Sequence, residues 1–114
     1  SQINFDYRAS QDSHLFVTRQ IIQHRRLAWQ ALVTARQRVA LLENAVNIAS
    51  EVFTARRKLR EASKETILNM LDAENEVINA QINYTSATFD ERIAIYQLML
   101  ATGRLNASHL NFDL

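Results

Sequence analysis

The 114-residue chain is 47% apolar and 22% charged, with one glycine, no proline, no cysteine and a formal net charge of +1. The missing cysteine excludes disulfides and thiolate metal sites, and no run approaches the roughly 20 apolar residues of a membrane-spanning helix. Residues 1–64 carry eleven Lys or Arg against five Asp or Glu, and residues 65–114 carry two against seven; such opposed halves suit packing on each other and argue against a nucleic-acid surface, which wants a net basic chain with interleaved aromatics.

From about residue 5 to residue 59 the apolar pattern predicts one long helix. One seam runs Ile21, Arg25, Ala28, Leu32, Ala35, Val39, Leu42, Val46, Ala49 and Phe53. A second runs Leu27, Ala31, Thr34, Arg38, Leu41, Ala45, Ile48, Val52, Ala55 and Leu59. Both step by four and three, and they lie about 100° apart around the helix. A helix with two seams has neighbours on two sides. Fifty residues make roughly 75 Å of helix, longer than an ordinary four-helix bundle uses. Trp29 reads as a packing residue at a seam edge.

The break is expected at the tip, residues 60–65. Arg56, Arg57, Lys58 and Arg60 crowd the end of the first helix, where the helix dipole favours cations. Ser63 is placed to cap the second helix, with Glu65 in its first turn. A reversal there would put Arg36 and Arg38 near Asp90 and Glu91, and Arg56 near Asp72.

The second helix, about residues 66–103, carries the strongest signal. Ala73, Ala80, Ala87, Ala94 and Ala101 recur every seven residues, alternating with Met70, Val77, Tyr84, Glu91, Leu98 and Leu105. This is a heptad seam with a small residue at one of its two core positions, so a partner backbone can approach closely. Beside it runs Leu71, Asn75, Ile78, Ile82, Thr85, Phe89, Arg92, Tyr96 and Met99. Gly103 sits where a helix C-cap is expected. Residues 104–114 then form a short tail, with Leu105, Leu110 and Phe112 as contacts. Because the second helix reaches back only to about residue 22, Ser1 to Ile21 lacks an internal partner. The expected fold is all-α: a single long antiparallel two-helix coiled-coil hairpin.

Catalytic chemistry is not legible. His14, His24 and His109 are scattered and share no face with carboxylates at ligand spacing. Asp72, Glu74 and Glu76 splay around the helix as a solvated acidic turn. Gly-rich phosphate loops and nucleophile elbows are absent. Two glycosylation sequons, at Asn83 and Asn106, are too common a pattern to weigh. The expectation is a non-enzyme with no cofactor and no metal. Ser1 begins no signal peptide, as in a fragment or a processed product.

The run from Glu65 to Leu105, with its Leu71-Asp72-Ala73 start, alanine ladder, Tyr84 and the Leu98-to-Leu105 ending, resembles the final long helix of TolC-like outer-membrane efflux proteins. Residues 28–62 resemble the preceding helix, particularly in members serving type I secretion. The resemblance implies a trimeric export duct for type I secretion or drug efflux, in which each protomer gives strands to an outer-membrane barrel and two helical hairpins to a periplasmic α-barrel. This chain would be the second hairpin. A shorter helix from elsewhere in the protomer would cover Ser1 to Ile21. The tip residues Arg60, Glu61, Ala62, Ser63 and Lys64 would dock a periplasmic adaptor, a membrane fusion protein, and reach an inner-membrane transporter indirectly. Asp72 matches the second of two aspartates that narrow the family's pore entrance, and Asn69 stands at the first. Glu65 stands where the family has a gate arginine, Ser63 where it has the tip glycine, and Arg60 where it has a tyrosine. The alternative class is a cytoplasmic coiled-coil scaffold without a channel.

Overall fold

The computed structural model describes the backbone of residues 1–113, and the side chains of all of these except Leu105 and residues 108–113. Two helices, α1 (Gln2–Glu61) and α2 (Ile67–Asp113), account for nearly all of it, and no strand occurs among the described residues. The all-α helical hairpin expected from the heptad pattern is what the chain forms. Contacts divide it into two units: Thr34–Arg92, which holds the tip, and Ser1–Val33 with Ile93–Leu114.

In the tip unit, the alanine seam of α2 meets the first seam of α1. Ala73 and Ala87 are buried, Val77, Ala80 and Tyr84 half-buried, and opposite them Ala35, Val39, Leu42, Val46, Ala49 and Phe53 are half-buried. The second unit repeats the scheme, with Ala28 and Leu32 of α1 and Ala94 and Ala101 of α2 buried. Alanine dominates the core because two backbones that approach closely leave room for little else at the contact. The consequence is a thin apolar interior: among the described residues the largest buried side chain is Leu32. Arg38 Nη1 donates to Asp90 Oδ2 at 3.0 Å across the tip unit, the pairing expected from the charge asymmetry. Both side chains are half exposed, so the pair contributes little stability.

The helix ends differ from expectation. α1 ends in a Schellman motif. Ser63 N–H donates to the Arg60 carbonyl and Lys64 N–H donates to the Leu59 carbonyl. This wrap requires the first residue past the helix end, the donor of the inner bond, to be left-handed, and Ser63 has φ 59°. Ser63 therefore closes α1 and does not cap α2. The α2 cap is Thr66, whose Oγ1 accepts from the Asn69 N–H at 3.2 Å. At the far end, α2 continues through Gly103 to Asp113 where a cap at Gly103 was expected. Gly103 has no positive φ, and nothing lies within 4 Å of where its Cβ would be, so the glycine is not required by conformation or by close packing. The tail contacts expected of Leu105, Leu110 and Phe112, and the side chain of His109, lie outside the described residues.

A serine at φ 59° carries the left-handed penalty of an L-residue, about 1 kcal/mol. Ser63→Gly removes it, partly offset by the extra freedom glycine gives the unfolded chain. Ser63→Gly is expected to raise the midpoint of thermal unfolding followed by circular dichroism. A lowered midpoint would show that the serine side chain contributes more than its backbone strain costs.

Candidate functional site

Glu65 organises the tip from the two-residue gap between the caps. Its Oε1 accepts from the Asn69 side-chain amide at 2.6 Å and from the Thr66 N–H at 3.1 Å. Its Oε2 faces Arg56 Nη1 at 3.4 Å, and its backbone carbonyl accepts from Arg60 Nη1 at 3.4 Å. One carboxylate thus ties the last turns of α1 to the first turn of α2, and its negative charge sits against the positive end of the α2 dipole. The hydrogen bonds from Asn69 and Thr66, with the charge of Arg56 adding to them, hold the Glu65 carboxyl below the usual carboxylate range.

The expected Arg56–Asp72 pairing is therefore replaced. Arg56 turns to Glu65, which offers it a half-buried carboxylate with a side-chain exposure of 15%, whereas Asp72 is exposed. Sequence reading placed Arg56 at the tip with the wrong partner and missed Thr66 as the cap of α2. The available signal was a Thr three residues ahead of an Asn at the start of an apolar pattern.

A group with a lowered folded-state pKa contributes stability that is present above its unfolded value and lost as pH falls through the folded one. The Glu65 contribution is accordingly full above about pH 4.5 and fades below it. Glu65→Ala is expected to speed amide exchange at Ile67 to Met70 near neutral pH, with the difference from the parent chain closing as pH drops below that value. Equal exchange at neutral pH would show that Thr66 caps α2 unaided.

The other sequence-predicted residues fall into two groups. Arg60, Glu61, Ala62, Ser63 and Lys64 are all exposed at the turn. Asn69 and Asp72 are brought together, with Glu76, along the α2 wall of a groove of about 460 Å3 whose α1 wall is Ala45, Ile48, Ala49, Val52 and Arg56. Asn69 donates a side-chain amide proton to Glu65. Asp72 projects without an ion-pair partner among the described residues. Glu74 also points to solvent, and no group of three His, Asp or Glu among the described residues is placed to hold a metal ion. Trp29 is 53% exposed, beside Ile22, Leu98 and Thr102, rather than packed at a seam edge.

The second seam of each helix stays open. From Leu27 to Leu59 along α1 every member except Ala45 is exposed, and from Leu71 to Met99 along α2 every member is exposed. Each helix thus presents a heptad-spaced apolar line that its hairpin partner does not cover. No helix among the described residues is long and apolar enough to cross a membrane.

The chain is similar to an outer-membrane efflux protein. It is 31% identical over 86 residues to the outer membrane efflux protein BepC of Brucella suis biovar 1 (strain 1330). The match covers 75% of this chain and 19% of that protein, so the chain corresponds to about a fifth of the relative's length. No protein-family model matches the chain, and no solved structure does.

Proposed function

We propose that this chain is a periplasmic hairpin of a TolC-like export duct in the outer membrane, a passive, non-enzymatic conduit for type I secretion or drug efflux. The observation that carries the reading is the pair of seams on each helix, one closed within the hairpin and one open. A helix in the wall of an α-barrel needs a neighbour on each side, and three protomers each bringing two hairpins close such a wall. Similarity to an outer-membrane efflux protein supports the same assignment. Helices too polar to cross a membrane suit a segment outside the bilayer, the barrel strands belonging to another part of the longer protein.

In this assembly the tip faces away from the outer membrane and docks a periplasmic adaptor, which links it to an inner-membrane transporter. Asp72 contributes one carboxylate per protomer near the pore entrance. Three like charges in a narrow low-dielectric mouth focus a negative potential that favours cations. Asn69, one turn nearer the tip, is neutral and adds nothing to that ring. Glu65, in the position of the family's gate arginine, ties the tip to itself, so opening of the entrance involves the hairpin end as a unit.

Single-channel recording of the longer protein containing this chain tests the proposal. A conducting, cation-preferring pore is expected, with Asp72→Ala lowering the cation preference and weakening block by trivalent cations. A protein that inserts but does not conduct refutes the duct. Conduction with selectivity indifferent to Asp72→Ala keeps the duct and places Asp72 away from its lumen.

A further inference from the structure

The tip carries more positive charge than the hairpin uses. Residues 56–66 hold five Lys or Arg against two Glu, a net +3. Glu65 engages Arg56, and Arg57 lies over the Phe53 ring at 5.9 Å. Lys58, Arg60 and Lys64 are exposed, and among the described residues no carboxylate lies within ion-pair distance of any of them, Arg60 donating only to the neutral backbone carbonyl of Glu65. In the same stretch of chain around the turn, Leu59, Ile67 and Leu68 are 42%, 51% and 70% exposed. The Schellman wrap and the Glu65 bonds fix the backbone that carries both groups, so the surface is ordered before any partner arrives.

We infer that the hairpin tip is a docking surface for an acidic protein partner, whose carboxylates pair with Lys58, Arg60 and Lys64 around an apolar contact on Leu59, Ile67 and Leu68. The inference rests on the proposed docking role of the tip and adds the chemistry of the partner. An apolar centre with a charged rim is the ordinary anatomy of a protein interface. The rim charges set orientation and discriminate against partners of like charge more than they add affinity. A nucleic acid is disfavoured because residues 56–66 contain no aromatic to stack on a base. A membrane surface is disfavoured because Glu61 and Glu65 sit among the cations, and a helix end offers no long apolar face to lay into lipid.

The test titrates the full chain with three probes while following the backbone amide resonances of Ser63 and Leu68. The probes are a helical Glu/Leu peptide of roughly 20 residues, long enough to hold a helix, its Lys/Leu counterpart, and phosphatidylglycerol vesicles. The Glu/Leu peptide is expected to shift both resonances, and to bind at least about tenfold more weakly at about 1 M than at about 0.1 M salt as the screening length contracts. The Lys/Leu peptide is expected to leave them unmoved. The triple variant Lys58→Glu/Arg60→Glu/Lys64→Glu should invert the preference between peptides while retaining the helicity of the parent chain, because all three side chains are exposed and the one hydrogen bond it removes, from Arg60 to the Glu65 carbonyl, is long at 3.4 Å and lies outside both helices' backbone ladders. Binding of both peptides alike, a preference that survives the triple variant, or stronger shifts from the vesicles than from the Glu/Leu peptide would each overturn the inference. The same triple variant in the longer protein, assayed for export, separates the two layers. Lost export without a peptide preference leaves the docking role standing and removes the acidic partner; unchanged export removes the docking role and this inference with it.

Discussion

Ala87→Leu will lower the thermal midpoint of the chain by roughly 10 °C, taking about 2 kcal/mol for overpacking and several degrees per kcal/mol in a chain of this size. Ala87 is 1% exposed and is the tip unit's alanine farthest from the turn, the third of the five in the ladder. Leucine adds three carbons where the opposing α1 backbone already fills the space. No larger core residue stands ready to rearrange, since the half-buried side chains around it are themselves seam members in contact. The helices must separate locally, and separation uncovers the neighbouring seam positions as well. Ala55→Leu is the control: Ala55 lies on the open seam of α1 and is exposed, and alanine and leucine have similar helix propensities. A midpoint that stays put in both variants would show that the ladder is not a close helix contact.

The second large effect is association. The hairpin leaves Leu41, Ile48, Val52, Ile78, Ile82 and Phe89 exposed in the tip unit alone. Exposed apolar lines of this kind seldom remain in water when a complementary copy is present. Sedimentation of the chain should show species above the monomer, with the proportion rising with concentration. Ile82→Glu combined with Phe89→Glu should shift the distribution to monomer at unchanged helical content, because both side chains lie outside the intrahairpin core. Clean monomer behaviour of the parent chain at the highest attainable concentration would mean that the open seams have no self-complementary partner. The association would then depend on other parts of the longer protein.

Both effects trace to a pattern carried by the amino-acid sequence itself. A heptad ladder is a local property: spacing in the chain maps directly onto a helix face, so the five alanines and the two seams per helix were legible. The helical hairpin follows from them, as does the Arg38–Asp90 pair, since register along two antiparallel helices extends linearly from one turn. Gly103 misled because a glycine after a long periodic run is an ordinary stop signal, yet α2 passes through it to Asp113. Weak local preferences of about 1 kcal/mol do not end a helix when the backbone has no better path.

At the tip the division is sharper. That the chain turns between Leu59 and Thr66, and that the turn is basic, is contained in the order of the residues. Which residue does what is not. Ser63, Thr66 and Glu65 are all capable of capping, and the choice among them depends on where the left-handed residue falls. With Ser63 at φ 59°, the chain emerges so that Thr66 reaches the Asn69 N–H and Glu65 reaches back toward Arg56. Arg56 had two carboxylates within plausible reach in the sequence; the path of a few backbone dihedrals set Glu65 beside it and left Asp72 in the open wall of a groove. Periodicity alone determined the helices and their faces, because these repeat over many residues and tolerate local error. The tip's hydrogen bonds required the tertiary path, because each depends on one geometry that no repeat encodes.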